Sequence, residues 1–156
     1  MIQAFRQFEG DVKLEIIGNG DAAYCARLKL LAYNDKRISF HNAVSEKQMP
    51  AIYQNCDCVV IPSLWYETYN FVLREAISCG CLGICSAIGA MPEAVTPGRN
   101  GYLFEPGNVQ SLVNVLYLAK DFDWTKYTSV SFPSIEDESR RYDVLYQEAI
   151  ARHHLS

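Results

Sequence analysis

No stretch of the 156-residue chain approaches the roughly 20 apolar residues that a helix needs to cross a bilayer. The opening residues, Met1-Ile2-Gln3-Ala4-Phe5-Arg6, lack the basic start and apolar centre of a secretory signal. Nothing therefore argues for export, and a cytoplasmic setting is expected. Positive charge is also short: 14 Lys and Arg against 18 Asp and Glu give a formal net charge of −4. Nucleic acid and anionic membrane surfaces are accordingly not expected as partners of this chain. Histidine is scarce, with His41, His153 and His154 forming no ligand motif. Six cysteines are present, but none is paired at the C-x-x-C spacing that clamps zinc, so no metal is expected. Cys56 and Cys58 alternate in an apolar strand, and Cys79, Cys81 and Cys85 surround a glycine turn. Small buried thiols in a reducing compartment fit this pattern best.

What the chain has is globular composition: 49% hydrophobic and 21% charged residues, enough apolar surface for one domain with a real core. Apolar spacing predicts a helix at its start, with Ile2, Phe5 and Phe8 on one face. Strands are predicted over 12–17, 37–41, 59–61, 81–85 and 102–104. Helices are predicted over 22–33, 46–54, 70–79, 108–120 and 135–151, with a short helical turn over 91–95 and Asn108 as an N-cap. The segment 124–133 carries little pattern. Alternating strands and helices predict a Rossmann-like parallel sheet flanked by helices, spanning 1–156 as a single domain. The first strand of such a unit should precede the opening helix, and none is found there.

Ligands of such sheets sit beyond the carboxyl ends of the strands. The stretch Pro62-Ser63-Leu64-Trp65-Tyr66-Glu67-Thr68-Tyr69-Asn70-Phe71-Val72-Leu73-Arg74-Glu75 leaves a buried strand there, turns and enters a helix. Free N–H groups at a helix start attract a diphosphate, and carboxylates accept hydrogen bonds from sugar or ribose hydroxyls. Glu67 before the helix and Glu75 within it could bracket one phosphate site. Taken alone, two such glutamates usually mark a solvated face. Here Glu67 lies among aromatics and Glu75 among apolar neighbours, where a carboxylate requires partners. Gly18-Asn19-Gly20 supplies half of a dinucleotide fingerprint, with Ala23 at the third glycine position and no ribose-binding acid downstream. That argues against a nicotinamide site and for a tight strand-to-helix turn.

These residues resemble the donor-binding half of retaining glycosyltransferases of the family-4 (group 1) kind, which adopt the two-domain GT-B fold. The family signature of a glutamate, seven residues and a second glutamate is met by Glu67 and Glu75. The resemblance also takes in Leu14 to Gly20, Ile38 to Phe40, Asp57 to Ser63, Glu75 to Gly80, Gly89 to Val95 and Asn100 to Asn108, in order across about 12–120. It implies a hexosyltransferase acting in polysaccharide biosynthesis, with a nucleotide diphosphate sugar as donor, an acceptor glycan or lipid, retained anomeric configuration and no obligatory metal or cofactor. Catalytic Glu67 would hold donor-sugar hydroxyls and Glu75 the ribose. The N–H groups of Tyr69, Asn70 and Phe71 would face the diphosphate, Val72 would line the nucleotide site, and the loop from His41 to Val44 would lie beside the base.

The sequence departs from that pattern in instructive places. Thr68-Tyr69-Asn70 replaces the usual glycine-aromatic-glycine, and Gly89-Ala90 replaces paired glycines. The arginine and lysine that would neutralise the departing diphosphate, and the N-terminal acceptor-binding domain, lie outside this sequence. The chain alone is thus expected to be inactive, and any peripheral membrane association would come through the other half. Arg74 and Arg99 are the nearest cations, read as solvated surface charges. The mixed charges from Glu138 to Asp143 on the last helix do not make a membrane-binding face. Two alternatives remain open: a non-catalytic or split subunit needing a partner domain, and half of a nucleotide-sugar epimerase.

Overall fold

The computed structural model describes residues 1–153. Its elements run α1 (Ile2–Gln7), β1 (Leu14–Ile17), α2 (Ala22–Leu31), β2 (Ile38–His41), α3 (Met49–Tyr53), β3 (Cys58–Ile61), α4 (Phe71–Ser78), β4 (Leu82–Ser86), β5 (Gly101–Phe104), α5 (Val109–Lys120) and α6 (Ile135–His153). The helix predicted over 46–54 is divided into a 3-10 turn, Glu46–Gln48, and α3. Pro50 sits in the first turn of α3, where its missing N–H costs nothing. The patternless 124–133 stretch contains a 3-10 turn, Trp124–Lys126, capped by Asp123.

All strand pairs are parallel, as expected, but the sheet comes in two pieces: β2-β1 and β3-β4-β5. If β1 and β2 are the second and third strands of a doubly wound unit, the order 3-2-1-4-5-6 places the first strand between β1 and β3. The interruption falls there.

The five residues of β4 are all buried, as befits a central strand covered on both faces. Leu82 and Ile84 face a cluster with Leu112, Val113, Val115 and Ala119 of α5 and Ala4 of α1. Cys85, on the opposite face, joins Leu73 and Ile77 of α4 with Met91, Ala94 and Val95. Gly83 is required here: a Cβ would stand 2.8 Å from Ile77 Cδ1 and 2.9 Å from Leu73 Cδ1. That contact seats α4 directly on the sheet and fixes where its N-terminus emerges.

α1 lies across both pieces. Phe8 packs edge-on against Tyr117 of α5, at 4.8 Å. On the other side Arg6 Nη1 donates to Leu31 O at 3.0 Å, and Arg37 Nη1 donates to Phe8 O at 2.7 Å. Arg37 also pairs with Asp35 Oδ2 at 2.7 Å, which holds the Asp35 carboxyl below its usual range.

Candidate functional site

β3 and β4 deliver two loops to the same end of the three-stranded sheet, and α4 departs from that corner. Asn70 makes the departure possible. Its φ of 54° is left-handed, a conformation Asn adopts more readily than bulkier residues. Its side-chain oxygen accepts the Leu73 N–H at 2.9 Å, satisfying one of the helix's orphan donors. The N–H groups of Phe71 and Val72, ahead of it in the first turn, have no preceding helical carbonyl within reach. Both residues are exposed, at 64% and 45%, and they stand at the positive end of the helix dipole.

Glu67 is held by its own backbone. Ala90 N–H donates to Glu67 O at 2.9 Å. Gly89, at φ 60°, lies so close that an added Cβ would stand 2.5 Å from that carbonyl oxygen and 2.8 Å from Glu67 N. The loop after β4 is thus the seat on which Glu67 rests, and Gly89 is the residue that permits the approach. The half-buried carboxylate accepts a hydrogen bond from Ser63 Oγ at 3.1 Å through Oε1.

Glu75 differs from its expected setting. It lies exposed on α4, not embedded among its apolar sequence neighbours, because the helix turns Leu73, Ala76 and Ile77 inward and leaves Glu75 outside. Its partner comes from α3: Tyr53 Oη donates to Glu75 Oε2 across a long 3.4 Å. Burial first, and the Glu75 charge second, push the Tyr53 phenol up to about 12. Among the described residues no ion pair engages Glu67 or Glu75.

Arg74 is a second correction. It is 9% exposed, not solvated. Its Nε donates to Tyr69 O at 2.9 Å, and its guanidinium stacks on the Tyr69 ring at 4.1 Å and on Phe132 at 4.9 Å. The Tyr69 ring in turn meets Phe71 at 4.8 Å. Arg74 therefore braces the loop before the helix instead of standing free as a cation. Nothing in the hydrophobic pattern distinguishes it from a surface arginine. Arg99 remains exposed, beside a concavity of about 270 Å³ lined by Thr96, Asn100, Thr128 and Val130.

The other candidates are placed more loosely. His41 is exposed at the end of β2. The following loop is tied to the glycine turn after β1 by the Ala43 N–H donating to Asn19 Oδ1 at 3.2 Å. Leu64, Trp65 and Tyr66 project into solvent beside Glu67. The corner is an open surface, and the larger concavity, about 510 Å³, lies elsewhere, against Gln3, Arg6, Gln7 and Val109. Among the described residues no cluster of three or more His, Cys, Asp or Glu is arranged to hold a metal, and no helix is long and apolar enough to cross a membrane.

A family model described as glycosyl transferases group 1 matches residues 1–121. The chain belongs to that family. It is 26% identical over 125 residues to O-antigen chain mannosyltransferase B of Escherichia coli, covering 80% of this chain and 29% of that protein. It is 29% identical over 126 residues to N-acetyl-alpha-D-glucosaminyl L-malate synthase of Bacillus anthracis, covering 78% and 32%. The chain thus spans about a third of the length of these curated relatives. Among solved structures, sucrose-phosphate synthase of Thermosynechococcus elongatus superposes with a TM-score of 0.81 at 23% identity, over 97% of this chain and 41% of that one. HepE of Anabaena, solved with UDP and glucose, gives 0.73 at 26% identity, over 82% and 36%. The fold is that of GT-B glycosyltransferases.

Proposed function

We propose that this chain is the donor-binding half of a retaining hexosyltransferase that takes a nucleotide diphosphate sugar. The observation that carries the reading is the start of α4, where Asn70 caps the Leu73 N–H and the exposed Phe71 and Val72 open the helix between Glu67 and Glu75. The diphosphate lies against the N–H groups at that start, including those of Tyr69 and Asn70 on the approach. Helix dipole and N–H donors together favour its charge. Glu67, fixed through its backbone by Ala90, accepts hydrogen bonds from the donor sugar. Glu75, exposed and only weakly engaged by Tyr53, accepts from the ribose, and Val72 lines the nucleotide. Support comes from HepE of Anabaena, which has been solved with UDP-glucose and with UDP and glucose.

In this half the chemistry is positioning. Arg74 is committed to Tyr69 and Phe132, so it is not the cation that stabilises the departing diphosphate. An open corner is what one half of a two-domain cleft presents.

The test is ligand-detected NMR of the chain with UDP and GDP. Weak binding is expected, and Glu75→Ala should weaken it by about 1.5–3 kcal/mol through loss of a charge-assisted hydrogen bond. Absence of any nucleotide signal at millimolar concentration, or full affinity in Glu75→Ala, would count against this assignment.

A further inference from the structure

Two tyrosines donate hydrogen bonds to α4, and they reach different kinds of acceptor. Tyr127 Oη donates to the backbone oxygen of Ile77 at 2.7 Å, so its hydroxyl is engaged within the fold. Tyr53 Oη donates instead to a side chain, the Glu75 carboxylate, at 3.4 Å through Oε2. Among the described residues no other side chain bonds that carboxylate. A carboxylate offers about four lone-pair sites, so Oε1 and the remainder of Oε2 stay available on the exposed side of the helix.

The Tyr53 ring is anchored. It is buried and closes α3 against Ala76 and Cys81, with Met49, Val59 and Cys79 around it. Its own carbonyl accepts a hydrogen bond from Cys81 Sγ at 3.0 Å. A ring so fixed holds its hydroxyl at one point. That hydroxyl in turn restrains one oxygen of a long, exposed side chain that would otherwise sample many rotamers. Burial raises the phenol to about 12, so it keeps its proton through the neutral range and stays a donor. Glu75 stands four residues after Phe71 and three after Val72, and so shares their face of α4, about one helical turn further along the axis.

We propose that Tyr53 is a positioning residue for ribose: it presents the Glu75 carboxylate to the vicinal hydroxyls of a nucleoside diphosphate, and so sets a preference for ribose over its deoxy forms. The inference rests on the donor-site reading and adds to it a residue that does not touch the ligand. Ordering the carboxylate before the ligand arrives removes that cost from binding. A site built to bond a hydroxyl discriminates against the analogue that lacks it. The preference therefore falls when Tyr53 loses its own hydroxyl, while contacts to the diphosphate stay as they are.

The probes are UDP and its 2′,3′-dideoxy analogue, titrated into the full chain and followed by NMR. Tyr53→Phe is expected to weaken UDP about threefold to tenfold, the scale of one hydrogen bond, and to change the dideoxy analogue by less than about twofold. Tyr127→Phe also removes a tyrosine hydroxyl bonded to α4; it should lower Tm and leave the ratio of the two affinities unchanged. In a Glu75→Ala background Tyr53→Phe should have no further effect on UDP, because the two side chains act as a unit. In the parent chain the Tyr53 ring signals should move on adding UDP and not on adding the dideoxy analogue. The proposal is overturned by equal weakening of both nucleotides in Tyr53→Phe, by additive losses in the double variant, or by ring signals that do not distinguish the two probes. UDP binding that depends on Glu75 but not on Tyr53 removes the positioning role alone, whereas no UDP binding by the parent chain at millimolar concentration overturns the donor-site reading and this inference with it.

Discussion

Asn70 holds two costs apart, and a pair of substitutions measures each. Its side chain caps the Leu73 N–H at 2.9 Å, and its backbone stands at φ 54°. Asn70→Ala removes the cap, a loss of about 1 kcal/mol, and places a Cβ-bearing residue without a compensating local hydrogen bond in the left-handed region, which costs about 1–2 kcal/mol more. The expected total is about 2–3 kcal/mol, a fall in Tm of about 4–12 °C for a chain of this size. Asn70→Gly also removes the cap, but glycine tolerates the angle and costs only a few tenths of a kcal/mol at an N-cap. Urea denaturation followed by circular dichroism reads both, with the m-value checked for constancy. The glycine variant should stay within about 1 kcal/mol of the parent, and its N–H groups at Phe71 and Val72 should still bind nucleotide. Equal destabilisation by alanine and glycine would refute the reasoning, since strain would then contribute nothing.

Gly89→Ala should be costlier, about 2–4 kcal/mol by the same unfolding assay, because it combines left-handed strain with a Cβ driven into the Glu67 backbone; nucleotide binding should fall with it. Arg74→Met should lose about 2–3 kcal/mol of stability through the Tyr69 hydrogen bond and the two stacked rings, and Arg74→Lys should recover only part, a lysine lacking the planar fork. Burial pushes the thiols of Cys58, Cys81 and Cys85 up to about 12, so a thiol reagent at pH 8 should label those three only on unfolding, as peptide mapping would reveal. The Tyr53 phenol sits at about 12 when folded, against about 10 when unfolded. The folded state therefore keeps a proton that the unfolded chain releases, and stability should decline from about pH 10 toward pH 12. Tyr53→Phe should remove part of that decline in alkaline denaturation.

The site was legible in the sequence where local chemistry dictates local geometry. The apolar run ending at Ile61 reads as a strand delivering its loop to the carboxyl end of a sheet. The lack of a strand ahead of Ile2 was legible too, but not that the sheet would divide into two pieces. What stayed hidden depends on contacts distant in sequence. Arg74 is buried because Phe132, 58 positions later by residue number, closes over it. Tyr53 meets Glu75 because α3 and α4 pack side by side, which no spacing rule announces. Glu75 itself was misplaced by reading its neighbours along the chain instead of around the helix: Leu73, Ala76 and Ile77 turn inward and it does not. Gly89-Ala90 was visible as a motif, yet its task of seating the Glu67 backbone appears only once the two loops are seen together.

The break in the sheet also bears on how the molecule comes apart. The unit built from β1, α2 and β2 has a helix with no buried residue and is joined through α1 to a central block around β4. With little apolar surface of its own, it should behave as a separate cooperative unit of lower free energy, opening and reclosing while the remainder stays folded. Heating would then give two transitions instead of one, the earlier belonging to β1, α2 and β2, and a single apparent Tm would describe neither.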